Sequence, residues 1–540
     1  MELLRNSDIK LINEKINDII EEIEETKLEI LDPTKKELIE INNIILNFIK
    51  EHKRKIYGGY AQNQVVILKN PKDAFYKENK LPDIDFYSPD PLYDLKELSN
   101  RIYDAGHHNV EAKEALHGET YTIFTEFKGV ADISFVPKNI YNRIPYIDIN
   151  GLYFVHPQFT MIDILRMFTE PFFSSFRWEK MVNRIKVLQK YYPFKKATSP
   201  LKQYNLIKDN NSDKEVINKM LNVVFDFLKN NNTTIILGDY AYNCLLYESK
   251  ILENTNKNKK TKKIFKYLDI LRYEFISINY KEDVQKLIEL LKKETKNPKD
   301  INAVELYPFW LFLGYSIEIY YKKHLIAYVV HYNRKCTPIN TINALTFIKN
   351  KDKPFSIVED KQNKLQLACF DTILLYSMVF AFKMRVNKEE EKYQFHNIMI
   401  SHLLELRKYS FDTSRKNILD NTLFRGFIVN CIGETMDIFR ETYLLRKAKK
   451  EQGKRIIYTY NPETERNKAK AEYVFPNSSG NAIRKLRNLK VLTELDTENL
   501  PQPTNGDRDR DRDRKRIRRE VEKSEPEEDS GRELIEELLK

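Results

Sequence analysis

Asp83 and Asp85 in LPDIDFYSPD and Asp132 in GVADISFVP place three carboxylates on two predicted strands, downstream of a Gly58-Gly59 turn in IYGGYAQN. Residues at i and i+2 of a strand share a face, so Asp83 and Asp85 project together while Ile84 and Phe86 point into the sheet. In GVADISFV the same alternation puts Val130, Asp132 and Ser134 on one side, where a neighbouring strand can bring the third carboxylate alongside. Magnesium keeps several waters, takes one or two protein carboxylates and is completed by substrate phosphates, so three aspartates suit a pair of such ions. Two ions held this way activate an attacking hydroxyl and steady a leaving pyrophosphate, which is the chemistry of nucleotidyl transfer.

The elements that must position these groups follow in order: helix, strand, Gly-Gly, helix, strand with D-x-D, strand with one further Asp. Glycine lets the backbone turn sharply and bring its N–H groups against a triphosphate at a helix N-terminus, here expected near Tyr60-Ala61-Gln62. Upstream, Ile9, Leu11, Ile12, Ile16, Ile19, Ile20 and Ile23 recur at helical spacing. Asp32-Pro33-Thr34 breaks that helix, and Thr34 with Glu37 forms a capping box for a second one. The first helix is expected either to meet a partner or to pack on the chain's own core.

The chain also contains an altered copy of this series. ILGDYAYNCLL from Ile236 echoes IYGGYAQNQVV from Ile56, and RYEFIS aligns with DIDFYS so that Arg272 stands for Asp83 and Glu274 for Asp85. Tyr328 replaces Asp132, and FDTILLYSMV from Phe370 echoes FTMIDILRMF from Phe159. Arg, Glu and Tyr cannot hold two divalent ions, so the second copy is expected to be structural or RNA-binding.

This ordered set resembles the polymerase-β-type nucleotidyltransferase superfamily. Over roughly residues 1–400 the layout is most similar to poly(A) polymerase catalytic subunits of large DNA viruses, the mimivirus and poxvirus kind. The resemblance implies an α+β fold with two tandem nucleotidyltransferase-like mixed-sheet units, the first catalytic and the second degenerate. The expected boundaries are an N-terminal helical segment at 1–51, the catalytic domain at 52–200, the degenerate domain at 201–400, a mainly helical region at 401–499 and a charged tail at 500–540. It further implies that Asp83, Asp85 and Asp132 are the catalytic, metal-binding residues. Gly58, Gly59 and Tyr60 would form the nucleotide-binding turn, with Tyr60 where the superfamily usually carries serine. The implied reaction is template-independent addition of AMP from ATP to an RNA 3′ end with two Mg2+ ions, Mn2+ being the alternative. A uridylyl- or CCA-adding enzyme and a non-catalytic RNA-binding scaffold are the competing readings. The relatives suggest a homodimer acting in the host cytoplasm or a viral factory, or packaged in the virion.

Length and charge fit this picture. The 540 residues exceed one ordinary core, and 41% hydrophobic content supplies enough apolar area for two. A net charge of +11, with acids outnumbering bases beyond residue 500, leaves a basic body suited to a polyanion. Arg177, Lys180 and Arg184 in FRWEKMVNRIKVL lie at i, i+3 and i+7 and are candidate phosphate or RNA contacts. KNKKTKK around Lys257–Lys263 and LLRKAKKEQGKR around Arg446–Arg455 are two more. The DRDRDRDR tail cannot bury enough apolar surface to fold. No apolar run is long enough to enter a membrane and no leader is expected. The four cysteines lack C-x-x-C spacing and are expected to be reduced core residues, and His107, His108 and His117 carry no assigned chemistry.

Overall fold

The computed structural model describes residues 5–30, 35–76, 81–116, 118–204, 214–254, 263–331, 336–349, 355–454 and 457–467. Thr34, His117, most of the KNKKTKK stretch, Arg455 and the charged tail lie outside the described residues. The chain divides into two units, one reaching to Thr459 and one starting at Tyr460. The second is described only over residues 460–467, where 462–467 are helical.

The first unit is α+β and is built on two mixed sheets. The first sheet is formed by β1 (Lys55–Tyr57), β2 (Ile84–Ser88), β3 (Glu111–Glu114), β4 (Thr120–Thr125), β5 (Lys128–Phe135), β6 (Tyr146–Ile149) and β7 (Leu152–Val155). Their spatial order is β3-β4-β5-β2-β1-β7-β6. The helices of this half are α1 (Asn6–Ile30), α2 (Lys35–Glu51), α3 (Gly58–Ile67), α4 (Pro91–Asp104), α5 (Lys138–Tyr141), α6 (Pro157–Phe168), α7 (Pro171–Ser174) and α8 (Trp178–Tyr191). α2 buries Ile41, Ile45, Phe48 and Ile49, the inner stripe of its apolar periodicity.

The second sheet contains β8 (Thr234–Ile236), β9 (Tyr273–Ser277), β10 (Ile301–Leu306), β11 (Ser316–Tyr321), β12 (His324–His331), β13 (Thr337–Ile348), β14 (Ser356–Ala368) and β15 (Cys431–Ile432), in the order β10-β11-β12-β9-β8-β14-β13-β15. Its helices are α9 (Lys214–Lys229), α10 (Gly238–Ser249), α11 (Ile251–Asn254), α12 (Tyr280–Lys293), α13 (Phe370–Asn387), α14 (Glu390–Ser414) and α15 (Ile438–Glu451).

Strand for strand, the two sheets repeat. β1/β2 and β8/β9 are antiparallel, β2/β5 and β9/β12 parallel, and β1/β7 and β8/β14 parallel. Asp85 pairs in register with Asp132, and Glu274 pairs in register with Tyr328. The internal alignment made on sequence therefore reproduces the spatial equivalence at the residues that matter.

One open alternative is settled and two expectations need correction. The apolar stripe of α1 is not spent on the core: Ile9, Leu11, Ile12, Ile16, Ile19, Ile20 and Ile23 are each more than a third exposed. Asp83 is not in a strand but immediately precedes β2. The reason is that β1 turns into helix after Tyr57, so the β1/β2 ladder ends at the pair Tyr57–Asp85. Finally, Cys336 and Cys431 form a disulfide across 95 residues, whereas Cys244 and Cys369 are free and buried. Pairing of β13 with β15 sets Pro338 opposite Cys431 and brings the two sulfurs together, a proximity that spacing along the chain cannot reveal.

Candidate active site

The parallel register of β2 and β5 sets Asp85 beside Asp132, and Asp83 completes the group from the end of β2. One carboxylate oxygen from each lies within 4.8 Å of the other two. Asp83 is exposed, while Asp85 and Asp132 are half-buried, so the cluster opens to solvent on one side. Thr122, opposite Asp132 on β4, donates its hydroxyl to Asp132 Oδ1 at 2.6 Å and fixes that carboxylate.

The glycine pair seats Asp85. Gly58 has φ +72°, and a Cβ there would fall on the Asp85 carboxylate. The Gly59 N–H donates to Asp85, and a Cβ at Gly59 would strike the Tyr76 hydroxyl and come within 2.9 Å of Arg184 Nη2. The helix α3 starts at Gly58, two residues before Tyr60, because the left-handed Gly58 turns the chain out of β1 immediately. Tyr60 is half-buried with its ring 6.2 Å from that of Phe154, and burial raises its hydroxyl pKa.

Charge in the site is unbalanced in a way that favours cations. Burial, then the neighbouring charges of Asp83 and Asp132, push the Asp85 carboxyl well above the usual carboxylate range. Burial likewise raises Asp132, with the Thr122 hydroxyl opposing it. Three carboxylates so close repel one another, and a divalent ion replaces that repulsion with attraction. The donor set is all oxygen, open and incompletely coordinating, which fits Mg2+ or Mn2+ completed by water and phosphate.

The cations expected on one helical face converge on this cluster. Arg177 precedes α8, and Lys180 and Arg184 lie within it. Arg177 lowers Asp132, and Arg184 lowers Asp85 and donates to Tyr76 Oη at 3.0 Å. Lys180 has its pKa lowered, chiefly by burial and then by Arg184, while Asp83 and Asp85 pull it up. Sequence reasoning missed Tyr76, Thr122 and the layer beneath the site. There the Tyr57 hydroxyl meets Ser134 Oγ at 2.7 Å, and the Tyr57 and Tyr87 rings stack at 4.0 Å. Thr122 was findable, since TYTIFT alternates as a strand next to GVADISFV; Tyr76 carried no signal.

In the second half the same backbone holds different chemistry. Leu237 before α10 has φ −127° and ψ −163°, against −128° and −165° for Tyr57 before α3. Gly238 has φ +64°, and a Cβ there would meet Glu274 as one at Gly58 would meet Asp85. Arg272, however, is paired with Glu274 at 2.6 Å and accompanied by Tyr204 Oη at 2.8 Å, all buried. The guanidinium puts a positive charge beside Glu274 where the first copy has the Asp83 carboxylate. Asp239, where the first copy has Gly59, is raised to about 6 by burial.

A second cluster, Glu51, His52 and Glu97, also has oxygen and nitrogen atoms close together. Arg101 already pairs with both of its carboxylates, so it is an ion-pair network at the end of α2. Among the described residues no helix is long and apolar enough to cross a membrane.

Comparison with known proteins gives a consistent outcome. A family model described as poly(A) polymerase catalytic subunit matches residues 43–174. A second, described as the C-terminal part of the putative mimivirus poly(A) polymerase catalytic subunit, matches residues 186–493. The chain is similar to the putative poly(A) polymerase catalytic subunit of Acanthamoeba polyphaga mimivirus, 31% identical over 492 residues covering 88% of this chain and 82% of that protein. It is also similar to the corresponding putative subunit of African swine fever virus, 33% identical over 158 residues, 28% of this chain and 32% of that one. Among solved structures it is similar to the Megavirus polyadenylate synthase, with a TM-score of 0.74, 29% identity and 91% of each chain covered.

Proposed function

This chain belongs to the family of poly(A) polymerase catalytic subunits of large DNA viruses, and on that premise we propose that it adds AMP units from ATP to RNA 3′ ends without a template. The observation that carries the proposal is the in-register pair Asp85 and Asp132 with Asp83 at their side, ringed by Arg177, Lys180 and Arg184.

Asp83, Asp85 and Asp132 would hold two divalent cations, Mg2+ or Mn2+. When bound, these supply charge neutralisation at the attacking hydroxyl and at the leaving pyrophosphate. The chain's own residues do the rest. The Gly58-Gly59 turn fixes Asp85, Thr122 fixes Asp132, and Lys180 with Arg184 offers positive charge to the triphosphate over the start of α3. Tyr60, turned toward Phe154, would shape the wall of the nucleotide site. The primer 3′-oxygen bonds to the α-phosphorus, the α–β phosphoanhydride bond breaks, pyrophosphate leaves and the hydroxyl proton passes to solvent. Holding the reactants in line and neutralising developing charge are the main sources of acceleration in such transfers.

Offering each NTP separately with a short RNA primer and Mg2+ tests this reading. ATP alone should support long extension, and Asp132→Ala should abolish it. Preference for UTP, or addition limited to CCA, would identify one of the other transferases, and absence of incorporation in any condition would leave the scaffold reading. Homodimerisation and action in the host cytoplasm, a viral factory or the virion rest on family resemblance. Light scattering of the purified protein decides the first.

A further inference from the structure

We propose that an exposed flank of α15 is a stacking and phosphate-binding track for the single-stranded RNA that feeds the active site. This rests on the polyadenylation reading and adds to it the surface that takes the body of the RNA chain.

Among the described residues, the contacts that anchor the helix come from one side. Ile438 and Thr442 are buried, Thr442 Oγ1 donates to Ile438 O at 2.8 Å and lies 3.3 Å from Leu116 O, and Lys449 Nζ pairs with Glu114 at 2.8 Å. These contacts fasten α15 to β3 and to the turn that follows it. On the adjoining flank, about a quarter turn round the helix, Phe439, Tyr443, Arg446 and Lys450 recur at i, i+4, i+7 and i+11, which at 3.6 residues per turn is a single stripe. Phe439 is 71% and Tyr443 65% exposed, Lys450 is exposed, and Arg446 is half-exposed. Two aromatic rings one turn apart, continued by two cations, present π-faces to bases and positive charge to phosphates. That pairing is the common device of sequence-tolerant single-strand binding. The helix's two acids, Glu441 and Glu451, are rotated off the stripe, so its charge suits a polyanion.

Its place in the fold links the stripe to the chemistry. Lys113 on β3 pairs with Thr122 on β4, and Thr122 pairs with Asp132 on β5, a row running across the sheet into the metal-binding cluster. Two strand spacings, roughly 10 Å, separate Lys113 from Asp132. Glu114, the anchor for α15, is the next residue, and its side chain leaves the opposite face of the strand. RNA lying on α15 would pass round the β3 side of the sheet to reach the aspartates on its other face.

The test uses the full chain, EDTA and no ATP, with fluorescence anisotropy of labelled single-stranded oligoadenylate. Phe439→Ala with Tyr443→Ala should weaken binding at least about tenfold. Arg446→Gln with Lys450→Gln should make log Kd against log[salt] shallower by about 1.4. Wild-type extension with ATP, measured on the same preparations, separates this inference from the underlying reading. If the wild type extends RNA but neither pair of substitutions changes binding, the track is refuted and the polymerase reading stands. Circular dichroism confirms folding of the variants. Conversion of an oligomer to a smaller species by the aromatic substitutions, with RNA affinity unchanged, would assign the face to a second copy of the chain and also overturn the proposal.

Discussion

Replacing Asp85 with asparagine should make the metal-free protein more stable while destroying its activity. The amide keeps an oxygen to accept from the Gly59 N–H and removes only the charge. With carboxylate oxygens within 4.8 Å, each like-charge pair costs about 0.9 kcal/mol in water-like surroundings and about 3.5 kcal/mol at an effective dielectric of 20. Asp83 is exposed and its contribution is screened toward the lower figure, while half-buried Asp132 lies higher. Arg184 offsets part of the sum, leaving a gain of about 2 kcal/mol for Asp85→Asn. The pH dependence has a definite sign. Burial and its two neighbours raise the folded-state Asp85 pKa, so the wild-type carboxyl favours the fold fully only below its unfolded value and loses that contribution as pH rises through the folded one. The advantage of the variant should thus be present at neutral to alkaline pH in EDTA and fade as the solution is acidified. Urea denaturation from pH 5 to pH 9 reads it. Added Mg2+ should stabilise the wild type by about 2.7 kcal/mol at a hundred times its Kd, and the variant far less. Primer extension should fall about a thousandfold, corresponding to about 4 kcal/mol of transition-state stabilisation. A variant no more stable than wild type in EDTA at any pH, and equally stabilised by Mg2+, would refute the picture of three mutually repelling ligands.

The other expectations are simpler. Gly58→Ala must hold a Cβ at φ +72° against the Asp85 carboxylate, so it should lose extension activity as Asp85→Asn does but with lower stability, by about 1–2 kcal/mol from the backbone alone. Lys180 loses its proton at lower pH than an ordinary lysine, because of burial and Arg184. If its charge binds triphosphate, KM for ATP should climb as pH rises through that lowered value, and Lys180→Arg should flatten the climb. Arg272→Met strands Glu274 in the interior and should cost about 3–5 kcal/mol, largely recovered by adding Glu274→Leu. Extension per folded molecule should be unchanged in that double variant, and its loss would mean that the second copy takes part in the chemistry.

Much of the site was already written in the chain. The strand period predicted that Asp85 and Asp132 could share a face, and the self-comparison of IYGGYAQN with ILGDYAYN matched Asp85 to Glu274 and Asp132 to Tyr328, the pairs that occupy equivalent ladder positions. Those are local properties: side-chain alternation and turn geometry depend on a few neighbouring residues and survive translation into three dimensions. The order of elements along the chain in both halves followed from the same repeat.

Tertiary structure decided what depends on distant partners. Only folding shows that the space beside Gly59 belongs to Tyr76 and Arg184, that Thr122 holds Asp132, and that Arg272 sits in the second copy as a built-in counter-charge. Cys336 and Cys431 look like isolated thiols until β13 and β15 pair. The α1 stripe reads equally as core or as a partner surface until its exposure is seen, and the basic residues of α15 gain a place in the fold only when the helix is found fastened beside β3. Periodicity names the faces of each element, but which face is covered is settled by packing against segments hundreds of residues away.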